Sequence, residues 1–221
     1  MLFELKRKFG RISGVLLVFV AVAALASGTS SAANNSGGLP TTNPNTPIPK
    51  PLPSYPQIVE LAQRELSRNV QERKGNNIPR YRKGKGRIAP YSIKDAWCAA
   101  FSTWAWRKAG FRDYLGASVL WKAFGGAIVA VQVRDLTNWA KRTGHFSTRA
   151  KPGYLVAYGN THIGVVEEAD REGRAVMSIE GNARDAVSEV IIDMDNVTGY
   201  ISPEVLTPSQ VIKMRMLHPD M

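Results

Sequence analysis

The sequence predicts an α+β domain in which N-terminal helices pack on an antiparallel β-sheet. Between residues 57 and 144, apolar residues recur at helical spacing, and two of these runs stop at a glycine. From residue 155 to 192 the pattern changes to short runs rich in Val, Ile and Tyr. Gly159-Asn160 and the segment Asp170–Gly173 separate the first three of those runs, as turns between sequential antiparallel strands do.

Residues 1–33 read as an export signal. Lys6, Arg7, Lys8 and Arg11 precede a run of 12 apolar residues, Val15 to Ala26, and small residues follow at Ala24-Leu-Ala26 and Ser30-Ser-Ala32. A basic head, a short apolar stretch and a small-x-small site are the signature of a secretory signal. The run is shorter than the roughly 20 residues of a spanning helix, so a retained membrane anchor is the alternative. Residues 34–56 hold seven prolines among Thr, Asn, Gly and Ser. Proline fixes φ and removes a donor, so this is an extended tether. The domain is expected over 57–221.

Ile58, Leu61, Ala62 and Leu66 give a first helical stripe. A polar, basic loop is expected from Gln71 to Pro90. A second helix is expected from Asp95-Ala-Trp-Cys98, with Asp95 or Ser92 as cap and Cys98, Phe101, Ala105 and Lys108 on one face. Gly110 ends it. Leu136, Trp139 and Ala140 mark a third helix, ended by Gly144. Strands are expected at Leu155–Tyr158, Thr161–Glu167, Ala175–Glu180 and Val187–Ile192.

The chain has 221 residues, 29 Lys+Arg against 18 Asp+Glu, three histidines and one cysteine. One cysteine excludes an intramolecular disulfide framework and multi-cysteine metal sites. The formal charge of +11 calls for an anionic partner. If residues 1–33 are removed, the remaining 25 basic and 17 acidic residues still carry +8. Five of the cations, Arg80, Arg82, Lys83, Lys85 and Arg87, fall within eight residues. Export fits anionic wall polymers or lipid headgroups better than nucleic acid, and a merely solvated loop is the plainer reading. No phosphate-cradling, dinucleotide-binding or nucleophile-elbow pattern occurs. Asp193-Met-Asp-Asn196 lacks the further ligands of a calcium loop. No cofactor or metal is therefore implied.

A free thiol in an exported protein invites oxidation, so Cys98 is either an inert core residue or a functional one. The start of a helix favours function, because its unpaired N–H groups stabilise a thiolate. Trp97 beside it is a candidate wall for a substrate. A thiolate nucleophile needs a base. His218 lies near the terminus, His145 in a loop after Gly144, and His162 in a strand, where geometry is held best. Glu180 and Asn182, two residues apart at a strand end, are expected to share a face and to orient the imidazole. Gly181 between them permits close approach of another chain or of a substrate.

Trp97-Cys-Ala-Ala-Phe-Ser-Thr-Trp104, Pro152-Gly-Tyr-Leu-Val156, His162-Ile-Gly-Val-Val166 and Ile179-Glu-Gly-Asn182, in that order, resemble the CHAP family. These are cysteine- and histidine-dependent amidohydrolases/peptidases of papain-like fold that cut bacterial peptidoglycan. The resemblance spans roughly Gln57 to Tyr200. It implies Cys98 as nucleophile, His162 as base, Glu180 as orienting group and Asn182 as a fourth polar position. Gly75-Asn-Asn77 and Tyr81 resemble a segment near the cleft, which makes Asn77 and Tyr81, with Trp97, candidate substrate contacts. One departure is Tyr154, where the family has aspartate after Pro-Gly. The implied protein is secreted or held in the cell envelope, touches the membrane only through its signal, and meets peptidoglycan and anionic wall polymers. The alternatives are a non-catalytic wall-binding module and a secreted peptidase or toxin acting on other peptides.

Overall fold

A computed structural model describes residues 54–83, 86–170 and 175–205. The export signal, the tether up to residue 53, Lys85, residues 171–173 of the expected turn, and His218 lie outside the described residues. No helix among the described residues is long and apolar enough to cross a membrane.

The first helix, α1 (Tyr55–Ser67), begins two residues before the expected domain boundary and takes Tyr55 and Pro56 from the tether. Proline suits this place because the first-turn N–H has no helical partner in any case. Ile58, Leu61 and Ala62 are buried as the stripe requires, and Glu65 is buried with them. The expected loop after α1 contains two short strands, β1 (Val70–Gln71) and β2 (Arg80–Tyr81), paired antiparallel.

Helix α2 (Cys98–Lys108) starts three residues later than expected. Asp95 does not cap it: its Oδ1 accepts from the adjacent Ala96 N–H at 2.7 Å. Trp97 occupies the cap position without a side-chain cap bond. The one-faced stripe is also corrected, since every residue from Cys98 to Trp106 is buried. A helix covered on all sides carries apolar or small residues all round. Gly110 (φ 97°) stops α2, with Gly110 N–H donating to Arg107 and Phe111 N–H to Trp106, the paired bonds of a Schellman cap.

A 3-10 turn (Asp113–Gly116) and a separate antiparallel hairpin, β3 (Leu120–Lys122) and β4 (Ile128–Ala130), follow. Helix α3 (Val133–Thr143) ends at Gly144, φ 79°. The remaining strands are β5 (Phe146–Ser147), β6 (Leu155–Tyr158), β7 (His162–Ala169), β8 (Val176–Ala183), β9 (Ala186–Ile191) and β10 (Gly199–Ile201). They join β1 and β2 in an eight-stranded antiparallel sheet of order β2-β1-β9-β8-β7-β6-β10-β5. The predicted α+β class is therefore observed.

Strand alternation divides the sheet's apolar residues between two faces. Leu155, Ile163, Val165 and Ile179 join the main core, in which α1 and α2 contact β7 and β8. Tyr154, Val156, Val166, Val176 and Tyr200 form a smaller cluster. Tyr154 follows a tight turn: its N–H donates to Lys151 at 3.0 Å across Pro152 and Gly153 (φ 85°), as proline and glycine favour in a type II turn. The Tyr154 ring then fills that cluster beside Tyr55, at 6.0 Å.

Candidate active site

The site forms where the β6–β7 turn meets the first residue of α2. Tyr158 pairs with His162 across Gly159, Asn160 and Thr161, and Gly159 takes the left-handed φ of 58° that the tight reversal needs. His162 thus stands at the first position of β7. The Cys98 Sγ lies 3.9 Å from the Thr161 carbonyl oxygen of that turn. Cys98 is in no disulfide and is buried, with 5% of its surface exposed. As the first residue of α2, it lies among backbone N–H groups that lack helical partners.

His162 joins two partners. Its Nε2 is 2.8 Å from Glu180 Oε2, which leaves Nδ1 as the ring nitrogen for Cys98. Burial alone would push the imidazole pKa down, but its hydrogen bonds with Cys98 and Glu180 outweigh that and raise it to about 10. At neutral pH the ring is therefore an imidazolium. Burial pushes the Glu180 carboxyl up, and donors from His162, Ser178 and Tyr158 override this and hold it below the usual carboxylate value. Ser178 Oγ and Tyr158 OH donate to Glu180 Oε1 at 2.6 and 2.7 Å. The Tyr158 ring also stacks on His162, with centroids 5.8 Å apart. Tyr158 and Ser178 were missed in the sequence. Their signal was period two along β8, which puts Ser178 beside Glu180, and the turn pairing that puts Tyr158 opposite His162.

Two glycines make the closeness possible. A Cβ on Gly164 would fall 2.6 Å from Glu180 Cγ. A Cβ on Gly181 would meet Phe101 Cβ at 2.6 Å, so the close approach expected there is made by α2 itself.

Asn182 makes no hydrogen bond with the imidazole among the described residues. The β8–β9 register shifts between Glu180 and Ala183, and Asn182 adopts φ 61°. This bulge breaks the strand alternation that would have placed Asn182 on the face of Glu180.

Trp97 is fully buried, stacked 5.7 Å from Tyr91. It packs inside rather than forming an open wall, because its indole N–H donates to Glu72. The other Glu72 oxygen accepts from Asn77 N–H at 2.6 Å. Asn77 is therefore tied to the residue preceding Cys98 through Glu72, another residue the sequence reading missed. Tyr81 lies elsewhere. Its ring sits beneath the guanidinium groups of Arg68 and Arg87 at 5.4 and 5.3 Å and lines a cavity to which Cys98, His162 and Glu180 do not contribute.

His145 is a packing residue: it is buried 4.2 Å from the Trp139 ring, with Thr143 Oγ1 at 2.9 Å from Nδ1. Asp193 accepts from Asp195 N–H and Asn196 Nδ2 of its own 3-10 turn. Of the basic run, Arg80 donates to the Gly86 carbonyl and Arg82 to Gln71, and Lys83 is exposed.

No family model, no curated protein and no solved structure matches this chain.

Proposed function

We propose that this protein is a secreted cysteine amidohydrolase/peptidase, papain-like in fold, that hydrolyses amide bonds of bacterial peptidoglycan as an amidase or endopeptidase. The reading rests on the Cys98–His162–Glu180 series, in which the Cys98 sulfur at a helix start, carried as the thiolate, meets an imidazolium whose far nitrogen is 2.8 Å from a buried carboxylate. The resemblance of the four surrounding motifs to the CHAP family supplies the substrate class.

In the first step the Cys98 thiolate attacks the amide carbonyl carbon, forming a C–S bond and moving the π pair onto oxygen. Backbone N–H groups at the start of α2 stabilise that oxyanion, each worth about 3–4 kcal/mol in comparable sites. The intermediate collapses, the C–N bond breaks, and His162 gives its proton to the departing amine. The now neutral ring takes a proton from water as the water oxygen attacks the thioester. The C–S bond breaks, and thiolate and imidazolium are restored. Glu180 holds the ring in place through both transfers. Every step uses groups of the chain and water.

Residues 1–33 direct export and are cleaved or retained as an anchor, and the proline-rich tether spaces the domain from that end. The basic run around Arg80 to Arg87 meets anionic wall polymers.

The test is digestion of purified sacculi by the full chain, with products identified by mass spectrometry. An amidase frees the sugar's lactyl carboxylate, whereas an endopeptidase cuts within the stem or cross-bridge. If Cys98→Ala releases the same fragments at the same rate, the mechanism is wrong. Binding without release identifies a wall-binding module. Cleavage of other peptides alone identifies a peptidase acting outside the wall.

A further inference from the structure

Away from Cys98, residues of α1, α2 and the β3–β4 turn line a cavity of about 660 Å³, in the range of small-molecule sites. Its charge is one-sided. Arg64, Arg68, Arg87 and Lys108 line it against a single carboxylate, Glu65. Glu65 is fully buried and satisfied, with Arg68 donating at 2.9 Å and Tyr91 OH at 3.1 Å. Arg68 is neutralised by that pair. Arg87 lies over the Tyr81 ring at 5.3 Å, with no carboxylate partner among the described residues. The charged ends of Arg64 and Lys108 have no hydrogen-bond or ion-pair partner among the described residues.

An exposed run of cations is ordinarily a solvated surface, but here the cations surround a wall held open by the backbone. Phe124 N–H donates to the Ser92 carbonyl at 2.8 Å and Gly125 N–H to that of Pro90 at 3.0 Å. Gly125 sits so close that a Cβ would fall 2.5 Å from Pro90 Cβ. This pins the β3–β4 turn and leaves the Phe124 side chain 62% exposed at the rim. Trp104 forms another wall. It is 95% buried, and its indole N–H has no acceptor among the described residues. Across Trp104 and Lys108 the cavity adjoins a second hollow of about 370 Å³, which adds Arg107 and Arg112 and no carboxylate. Convergent cations over an aromatic wall suit a ligand with a charged head and an apolar body.

We infer that this cavity binds an amphipathic anion, a carboxylate or phosphate borne on a flat or chain-like apolar body. Arg64 and Lys108 take the charged head, and Trp104 and Phe124 take the body. The inference does not depend on the chemistry at Cys98.

The test uses the full chain and the fluorescent probe 8-anilinonaphthalene-1-sulfonate at low salt. One saturable site is expected, with the neutral analogue N-phenyl-1-naphthylamine at least tenfold weaker. The double variant Arg64→Gln/Lys108→Gln, both residues being exposed, keeps the wild-type melting curve and binds the anionic probe at least tenfold more weakly. Phe124→Ser weakens both probes, and Cys98→Ala changes neither. Displacement by octanoate identifies a carboxylate ligand and displacement by octyl phosphate a phosphate one; either supports the site. Equal binding of the two probes, unchanged binding in the double variant, or displacement by octanol as readily as by the anions overturns it.

Discussion

Gly164 leaves room for Glu180: a Cβ at position 164 would lie 2.6 Å from the Glu180 Cγ and 3.3 Å from its carboxyl carbon. The contact is with the stem of the glutamate, so the carboxylate cannot swing aside and still reach His162 at 2.8 Å. Gly164→Ala is expected to cost about 1–3 kcal/mol through overpacking. Displacing the orienting carboxylate by an ångström should lower sacculus digestion by about a hundredfold. Thermal melting and product release measure the two effects separately. An alanine variant with wild-type turnover would show that Glu180 does not position the ring.

Tyr158 supplies a hydrogen bond and a stacking surface, and Tyr158→Phe separates them. The ring remains over His162, and the 2.7 Å donor to Glu180 is lost. A hydrogen bond to a charged group contributes about 1.5–3 kcal/mol, so the denaturation midpoint at neutral pH should fall by a corresponding amount. Because this donor favours ionised Glu180, its removal should move the acid loss of stability to higher pH. Tyr200→Phe loses only a 3.8 Å contact with the Met194 sulfur and should leave that acid limb in place.

The same pair sets a pH window. His162 is raised to about 10, so its contribution is complete below its unfolded value near 6.5. That contribution fades as pH rises from there through about 10. Glu180 is lowered, so its share is present above the ordinary carboxylate value and is lost as pH falls through the depressed one. Denaturant unfolding across pH 5–10 should show a gradual alkaline decline that His162→Gln largely removes. NMR titration of the imidazole checks the cause. Cys98→Ser should move the His162 midpoint down, because the bond with Cys98 is the largest of the effects raising it.

The α+β class was legible because it depends on strong local patterns, whereas Cys98, His162 and Glu180, far apart in the chain, were joined on the resemblance of the motifs around them. Gly110 and Gly144 mark helix ends through left-handed φ that other residues resist, and β6 to β9 are long enough to show strand composition. Strands of two or three residues, such as β1, β2 and β5, are too short for any period to register. The bulge at Asn182 was not legible, because a bulge is a property of paired strands and one strand's sequence does not reveal it. Trp97 was misread because adjacency to Cys98 says nothing of direction. At the N-cap its side chain turns inward to Glu72, a partner 25 residues away.

Glu72 therefore decides how firmly the start of α2 is held. Its two carboxylate oxygens accept from the Trp97 indole and from Asn77 N–H, joining the helix cap to a loop in which Lys74, Gly75 and Asn77 all adopt left-handed φ. Glu72→Ala strands both donors, and the indole lies on a fully buried side chain. An unsatisfied buried donor costs about 1–3 kcal/mol. Glu72→Gln should lose less: its carbonyl oxygen still accepts from the indole, while its NH2 group faces the Asn77 N–H with no bond to make. The expected order of stability is wild type, glutamine, then alanine. Limited proteolysis should open residues 72–77 in the same order, because that loop loses its anchor before the sheet loses its core. If the alanine variant is cut in this loop no faster than wild type, Glu72 does not hold the loop to α2.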